Sequence, residues 1–246
     1  MDSKILQLRE LLQRTESDKK QHQSISSGCL SLDRLLPQQG FRRGSLVEWI
    51  AGGAGSGASL LALLTARSAC RSGGTLVLVD RAQSLYPPAA AACLLDLQNT
   101  IVVHPASEKD ECWALEQALR CPDVAAVVAW PQRLTSHAFR RLQLAAEHGG
   151  CLGLLVRPAT ARHESSWASV RMLVSPRAVS PRAVSPQASR QGWRLGVELL
   201  RCGGLLGTKP IELEIDDQTG EVRDAYPRPL AAQLAGTAPD PRKARA

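Results

Sequence analysis

The chain has 246 residues, 44% of them hydrophobic and 22% charged, with a net charge of +7 and a sequence pI near 9.3. That length fits one domain of ordinary size with a tail at either end, and no apolar run approaches the roughly 20 residues that cross a bilayer. The N-terminal MDSKILQLRELLQR has no apolar signal core, so the expected location is the cytoplasm, with nucleoid association open.

In chain order, Ile5, Leu8 and Leu12 line one side of a short helix together with Leu11, and the polar TESDKKQHQ that follows reads as a linker. A short helix around Leu30 to Leu36 ends at Pro37, and Gly40 and Gly44 turn the chain into a strand at 46–50. A glycine loop then opens a helix over about 58–72, which Gly73-Gly74 stop. The alternation continues as strand 75–80, a helix from Pro87-Pro88 to about Leu97, strand 100–104, helix 108–120, strand 124–130, helix 136–148 and strand 151–156. Continuous apolar strands separated by helical lengths predict parallel βαβ units covered on both faces. Strands at 168–174, 193–200 and 210–215 have no helix between them and predict antiparallel pairing. The repeat VSPRA-VSPRA-VSPQA places proline at every fifth residue, which removes ladder donors and predicts an expanded loop between two strands.

The chemistry concentrates at WIAGGAGSGAS, which has the skeleton of a phosphate-binding loop, G-x-x-x-x-G before a helix. Gly52, Gly53, Gly55 and Gly57 supply a nest of backbone N–H groups and Ser59 supplies a hydroxyl for a metal ion. A working loop also needs a lysine to neutralise phosphate charge, and that position is Ala58. By itself the glycine pattern is equally that of a tight strand-to-helix turn.

From Ile25 to Asp217 the chain resembles the RecA family. ISSGCLSLDRLL and FRRGSLVEWIAGGAGSG are similar to the family's approach to its phosphate loop, and WASVRML (167–173) is similar to a strand late in its core. The resemblance implies an α/β fold with a RecA-like core: a mainly parallel central sheet flanked by helices, with antiparallel strands at the C-terminal end. The domain would span 24–228, preceded by the helix and linker of 1–23 and followed by a disordered basic tail at 229–246; 174–192 would be a disordered loop. It also assigns three further positions. The glutamate that activates water falls on Ala82, the Walker B aspartate on Ala129, and the glutamine that couples nucleotide to the DNA loop on Pro158, beside Arg157. Loss of lysine, glutamate and aspartate together removes charge neutralisation, nucleophile activation and magnesium placement. The expectation is therefore a vestigial loop, no ATPase activity, and neither ATP nor magnesium as cofactor.

Within that superfamily WPQRL (130–134), FRRLQLAAE (139–147), LGLLVRP (152–158), WRLGVELLRCGG (193–204) and IELEIDDQTGEV (211–222) resemble ImuA, the RecA-like accessory protein of bacterial mutagenic translesion synthesis. That resemblance implies a non-catalytic scaffold induced by DNA damage. Its partners would be an ImuB-type Y-family polymerase homologue, an error-prone DnaE-type polymerase, and RecA or a second copy of itself, with Ile5, Leu8 and Leu12 as contact candidates. Alternatives are a cell-division inhibitor like SulA, which acts on FtsZ, and a nucleotide-dependent RecA paralogue.

The intervals that correspond to RecA's two DNA-binding loops are short, so only a basic patch of Arg140, Arg141, Arg157 and Arg162 is a candidate for DNA backbone contact, against the plainer reading of a solvated face. Two Phe, two Tyr and five Trp are too few for a base-stacking platform. Trp49, Trp130, Trp113 and Trp167 all read as packing residues. Seven cysteines without a C-x-x-C pair read as free, mostly buried thiols, and the histidines show no ligand spacing.

Overall fold

The computed structural model describes residues 24–177, 192–203, 205–207, 209–216 and 222–224. The N-terminal helix and linker with Ile5, Leu8 and Leu12, most of the proline repeat, and the C-terminal tail lie outside the described residues. Ten of the twelve described strands form one sheet. Its parallel part runs, in spatial order, β8 (Val170–Arg177), β3 (Leu46–Ala51), β7 (Leu152–Arg157), β6 (Val124–Ala129), β4 (Thr75–Val79) and β5 (Thr100–Val103). Antiparallel strands β9 (Gly192–Cys202), β11 (Ile211–Asp216) and β12 (Val222–Asp224) extend it beyond β8, and β10 (Leu205–Leu206) hangs from β9. The α/β fold, the mostly parallel sheet and the antiparallel C-terminal strands are as the sequence leads one to expect.

The central strands β6 and β7 are buried at every residue, which is why they read as apolar runs apart from Arg157 at the end of β7. Two hydrophobic clusters result, one on each face of the sheet. Helix α2 (Ala58–Cys70) serves the first, with Trp49, Leu78, Val128 and Leu154 beneath it. It is apolar around most of its circumference because α1 (Leu30–Arg34) and its flanks lie over it, burying Ile25, Leu32, Leu36 and Phe41 in the same cluster. This cover is fastened by Asp33, whose carboxylate accepts from the Ser26 hydroxyl at 2.6 Å and the Ser27 backbone N–H at 2.7 Å, and by the small pair β1 (Ser24–Ile25) with β2 (Phe41–Arg42).

Helices α4 (Glu108–Arg120) and α5 (Ser136–Gly149) cover the other face, burying Leu115, Leu119, Phe139 and Leu142 against Val79, Val127 and Leu155. Their ends are chemically marked. Ser107 and Thr135 cap the two N-termini, accepting from Asp110 and Ala138 N–H groups at 3.2 Å, and Gly150, in left-handed conformation, closes α5.

Two segments depart from expectation. The helix that starts at Pro87-Pro88, α3 (Pro87–Ala92), stops five residues earlier than the alanine-rich text suggests, because Leu94 adopts φ 56° and turns the chain so that Leu95 enters the core. The Leu95 N–H bonds back to Ala90 and the Leu94 N–H to Ala91, a Schellman closure with leucine where glycine usually stands. The first four residues of the repeat, 174–177, are strand rather than loop: Pro176 and Arg177 continue β8 opposite Leu195 and Arg194. The β3 partner ends at Val174, so Pro176 sits where the ladder is open on one side and no donor is required of it.

Candidate functional site

The loop of residues 52–57 joins the C-terminal end of β3 to α2. Its entry is pinned by the Gly52 N–H, which donates to the Val174 carbonyl of β8 at 2.7 Å. Gly55 and Gly57 have φ of 67° and 79°, a region that costs other residues strain, and a Cβ on Gly57 would collide with the Leu195 side chain of β9. Gly53 and Gly55 are exposed, so the backbone keeps the curvature of an anion nest, although the Gly52 N–H is committed to Val174 and the Ala58 N–H donates to Ser56 Oγ at 3.4 Å.

The side chains around that nest are of another kind. Ala58, at the lysine position, is the buried first residue of α2. Ser59, the hydroxyl that would hold magnesium, accepts a hydrogen bond of 2.9 Å from the Trp130 indole N–H. Trp130 follows directly on Ala129, the buried last residue of β6 where the Walker B aspartate would stand, and it packs against the core cluster under α2. A bulky donor thus meets the serine where a carboxylate would otherwise orient a metal ion. Ala82 is exposed just beyond β4, and its neighbours are committed to structure. The Asp80 carboxylate accepts the Leu85 N–H at 2.7 Å, and Arg81 pairs with Glu111 at 3.1 Å. Burial pushes the Glu111 carboxyl up, opposed by Arg81. Magnesium nucleotide does not fit this set: the glycine curvature remains, but Ala58, Ala82 and Ala129 carry neither cation nor carboxylate, and the serine is already bonded.

At the end of β7, Arg157 is 1% exposed and belongs to a buried ion network rather than a DNA-facing patch. Its Nη1 reaches Glu48 of β3 at 3.2 Å and its Nη2 reaches Glu164 at 2.6 Å. Arg171 of β8 donates through Nε to the other Glu48 oxygen at 2.6 Å and through Nη2 to the Ala161 carbonyl at 2.6 Å. Arg201 of β9 donates to the carbonyls of Ser166 and Ala168 at 2.7 and 2.8 Å. The connection 158–169, which begins at Pro158 and includes the 3-10 turn Ala159–His163, is therefore strapped to the sheet by three arginines.

The other basic candidates are not gathered into one patch. Arg141 pairs with Glu116, which also holds Arg120 at 2.8 Å. Arg162 faces Glu198 at 3.9 Å, and Arg140 lies over the Trp167 ring and bonds Gln143. Two tryptophans expected to pack do not: Trp113 is 64% exposed on the outer side of α4, about 200° around the helix from buried Glu111, and Trp167 is 44% exposed. Trp49 is core, edge-on to Phe41 with ring centroids 5.9 Å apart. The cysteines are free thiols, with Cys29, Cys93, Cys151 and Cys202 buried and the other three half-buried.

The family model for the RecA N-terminal domain matches residues 5–129, just over half of the chain. Among curated proteins, Protein RecA of Clostridium novyi is 34% identical over 106 residues, 43% of this chain and 30% of that protein. Protein RecA of Thermosynechococcus vestitus is likewise 34% identical over 106 residues, and that of Rhizobium leguminosarum bv. viciae 39% over 83 residues. The matched stretch spans less than a third of each of these relatives. No helix among the described residues is long and apolar enough to cross a membrane.

Proposed function

Because this chain belongs to the RecA N-terminal domain family, we propose that it works through that family's core as a binding body and not as an ATPase: a non-catalytic scaffold in SOS-induced mutagenic translesion DNA synthesis. It bridges an ImuB-type polymerase homologue and an error-prone DnaE-type polymerase, with RecA as a further partner. The observation that carries the reading is the Trp130–Ser59 hydrogen bond beside Ala58. Hydrolysis in this fold needs a cation on the phosphates, a placed metal and an activated water, and each contributes orders of magnitude in rate. An indole on the metal's hydroxyl, a methyl at the lysine and methyls at both carboxylate positions leave none of the three. The translesion role itself rests on the ImuA-like text of 130–158 and 193–222.

Co-purification of the full chain with the ImuB-type and DnaE-type proteins tests it. The expected complex forms without added nucleotide and persists in EDTA, and removal of residues 1–20, with Ile5, Leu8 and Leu12, weakens it. Absence of any complex, or a complex that needs magnesium and ATP, contradicts the reading.

A further inference from the structure

Two clefts of about 600 and 370 Å3 share Gln143, Trp167 and Arg201 and run together as one groove between α5 and the start of β8. One end is apolar at Pro37, Ala168, Val170 and Cys202; the other carries the hydroxyls of Ser136, Ser165 and Ser166. Trp167 stands between the two, exposed yet fixed. Its indole N–H donates to Ser136 Oγ at 3.1 Å, and the Arg140 guanidinium lies 4.9 Å above its ring centroid. A large aromatic already immobilised loses little conformational freedom when covered, which is the property of residues that dominate protein interfaces.

The charged residues of the lining are Arg42, Arg140 and Arg201, with no carboxylate among them. Glu147, held by Arg42 at 3.7 Å and by Gln143 at 3.0 Å, sits beside the lining and not in it. Arg201 uses Nη2 for the Ser166 and Ala168 carbonyls, so its Nη1 and Nε face no described acceptor.

We propose that this groove docks an acidic peptide segment of a protein partner, one apolar side chain lying against Trp167 and carboxylates meeting Arg42 and Arg201. Single-stranded nucleic acid suits it less. A stacking platform presents successive aromatic faces along a basic track, whereas here one indole stands alone with Arg140 already over its ring. The apolar end matches an aliphatic or aromatic side chain, and fork-shaped guanidinium groups match carboxylates. The inference supplies a recognition surface for the scaffold reading and rests on it, since it requires that the chain works by binding protein.

Full-length protein is panned against phage-displayed random dodecapeptides. Selected peptides are then titrated by fluorescence polarisation against wild type, Arg42→Glu and Trp167→Ala, with labelled oligothymidylate alongside. The expected peptides carry two or more Asp or Glu around a Leu or Phe and lose affinity about tenfold or more in both variants. Arg42 is a surface residue, so Arg42→Glu decides the matter even if Trp167→Ala folds poorly. Selection of non-acidic peptides, unchanged affinity in Arg42→Glu, or tighter oligothymidylate binding weakened by the same variants overturns the proposal. Failure here leaves co-purification with the polymerase partners intact, and loss of co-purification with peptide binding retained removes only the translesion reading.

Discussion

Glu48 has no exposed surface, and each of its carboxylate oxygens is held by a different guanidinium, Arg157 and Arg171. Buried charges of this kind are tolerated only in balance, and removing the central one leaves two cations facing each other in the sheet. Glu48→Gln is therefore expected to cost about 3–5 kcal/mol, read as a shift in the urea unfolding midpoint. A loss under 1 kcal/mol would mean the network is solvated in solution. Cys151 gives a second residue-level expectation. Burial pushes its thiol from 9.0 up to about 12. The native state thus keeps a proton that the unfolded chain loses above pH 9, so stability falls as pH rises through that window, by about 1.4 kcal/mol per unit. Urea midpoints of wild type at pH 8 and pH 10.5 should differ more than those of Cys151→Ala, whose own slope reports the remaining groups.

At the scale of elements, α3 is the place where local chemistry and observed structure disagree. Four alanines in sequence favour helix, and the leucines after them fit a helical stripe. The helix nonetheless stops because Leu95 packs into the core while Leu94, 70% exposed, takes the left-handed turn. Such a conformation costs a leucine roughly 1–2 kcal/mol that glycine avoids. Leu94→Gly is expected to stabilise the fold by about 1 kcal/mol in chemical denaturation, part of the relief being offset by glycine's larger unfolded-state entropy. Destabilisation would show that α3 continues further in solution. The longer elements were legible in the sequence because periodicity and punctuation agree there. Helix α4 follows Ser107 with acidic residues in its first turn, α5 runs from capping Thr135 to Gly150, and β6 and β7 are apolar runs of strand length. What was not legible is pairing across the chain. Arg157 reads as an exposed strand-end arginine until Glu48, 109 residues away, lies beside it. Trp130 reads as core until its indole meets Ser59, 71 residues earlier. Trp167 reads as packing because nothing near it in sequence announces that Ser136 and Arg140 fix it on an open groove.

Across the whole molecule, these long-range pairs share a direction. The glycine loop is held by Val174 and Leu195 of the neighbouring strands, Ala58 is buried after it, and Ser59 is hydrogen-bonded to Trp130 within the protein. The connection after β7 is likewise strapped down by Arg157, Arg171 and Arg201. A core built in this way is suited to presenting fixed surfaces, and the open groove at Trp167 is one. On the proposed reading, the loop at Gly52 to Ser59 is the hinge of a RecA-like fold and the work of the molecule is binding. Isothermal titration of the full chain with magnesium and ATP tests that claim most directly. The account predicts no saturable heat up to about 1 mM, a concentration at which even a binding free energy near −4 kcal/mol would register. One-to-one binding at micromolar affinity, dependent on magnesium and lost in Ser59→Ala, would contradict it.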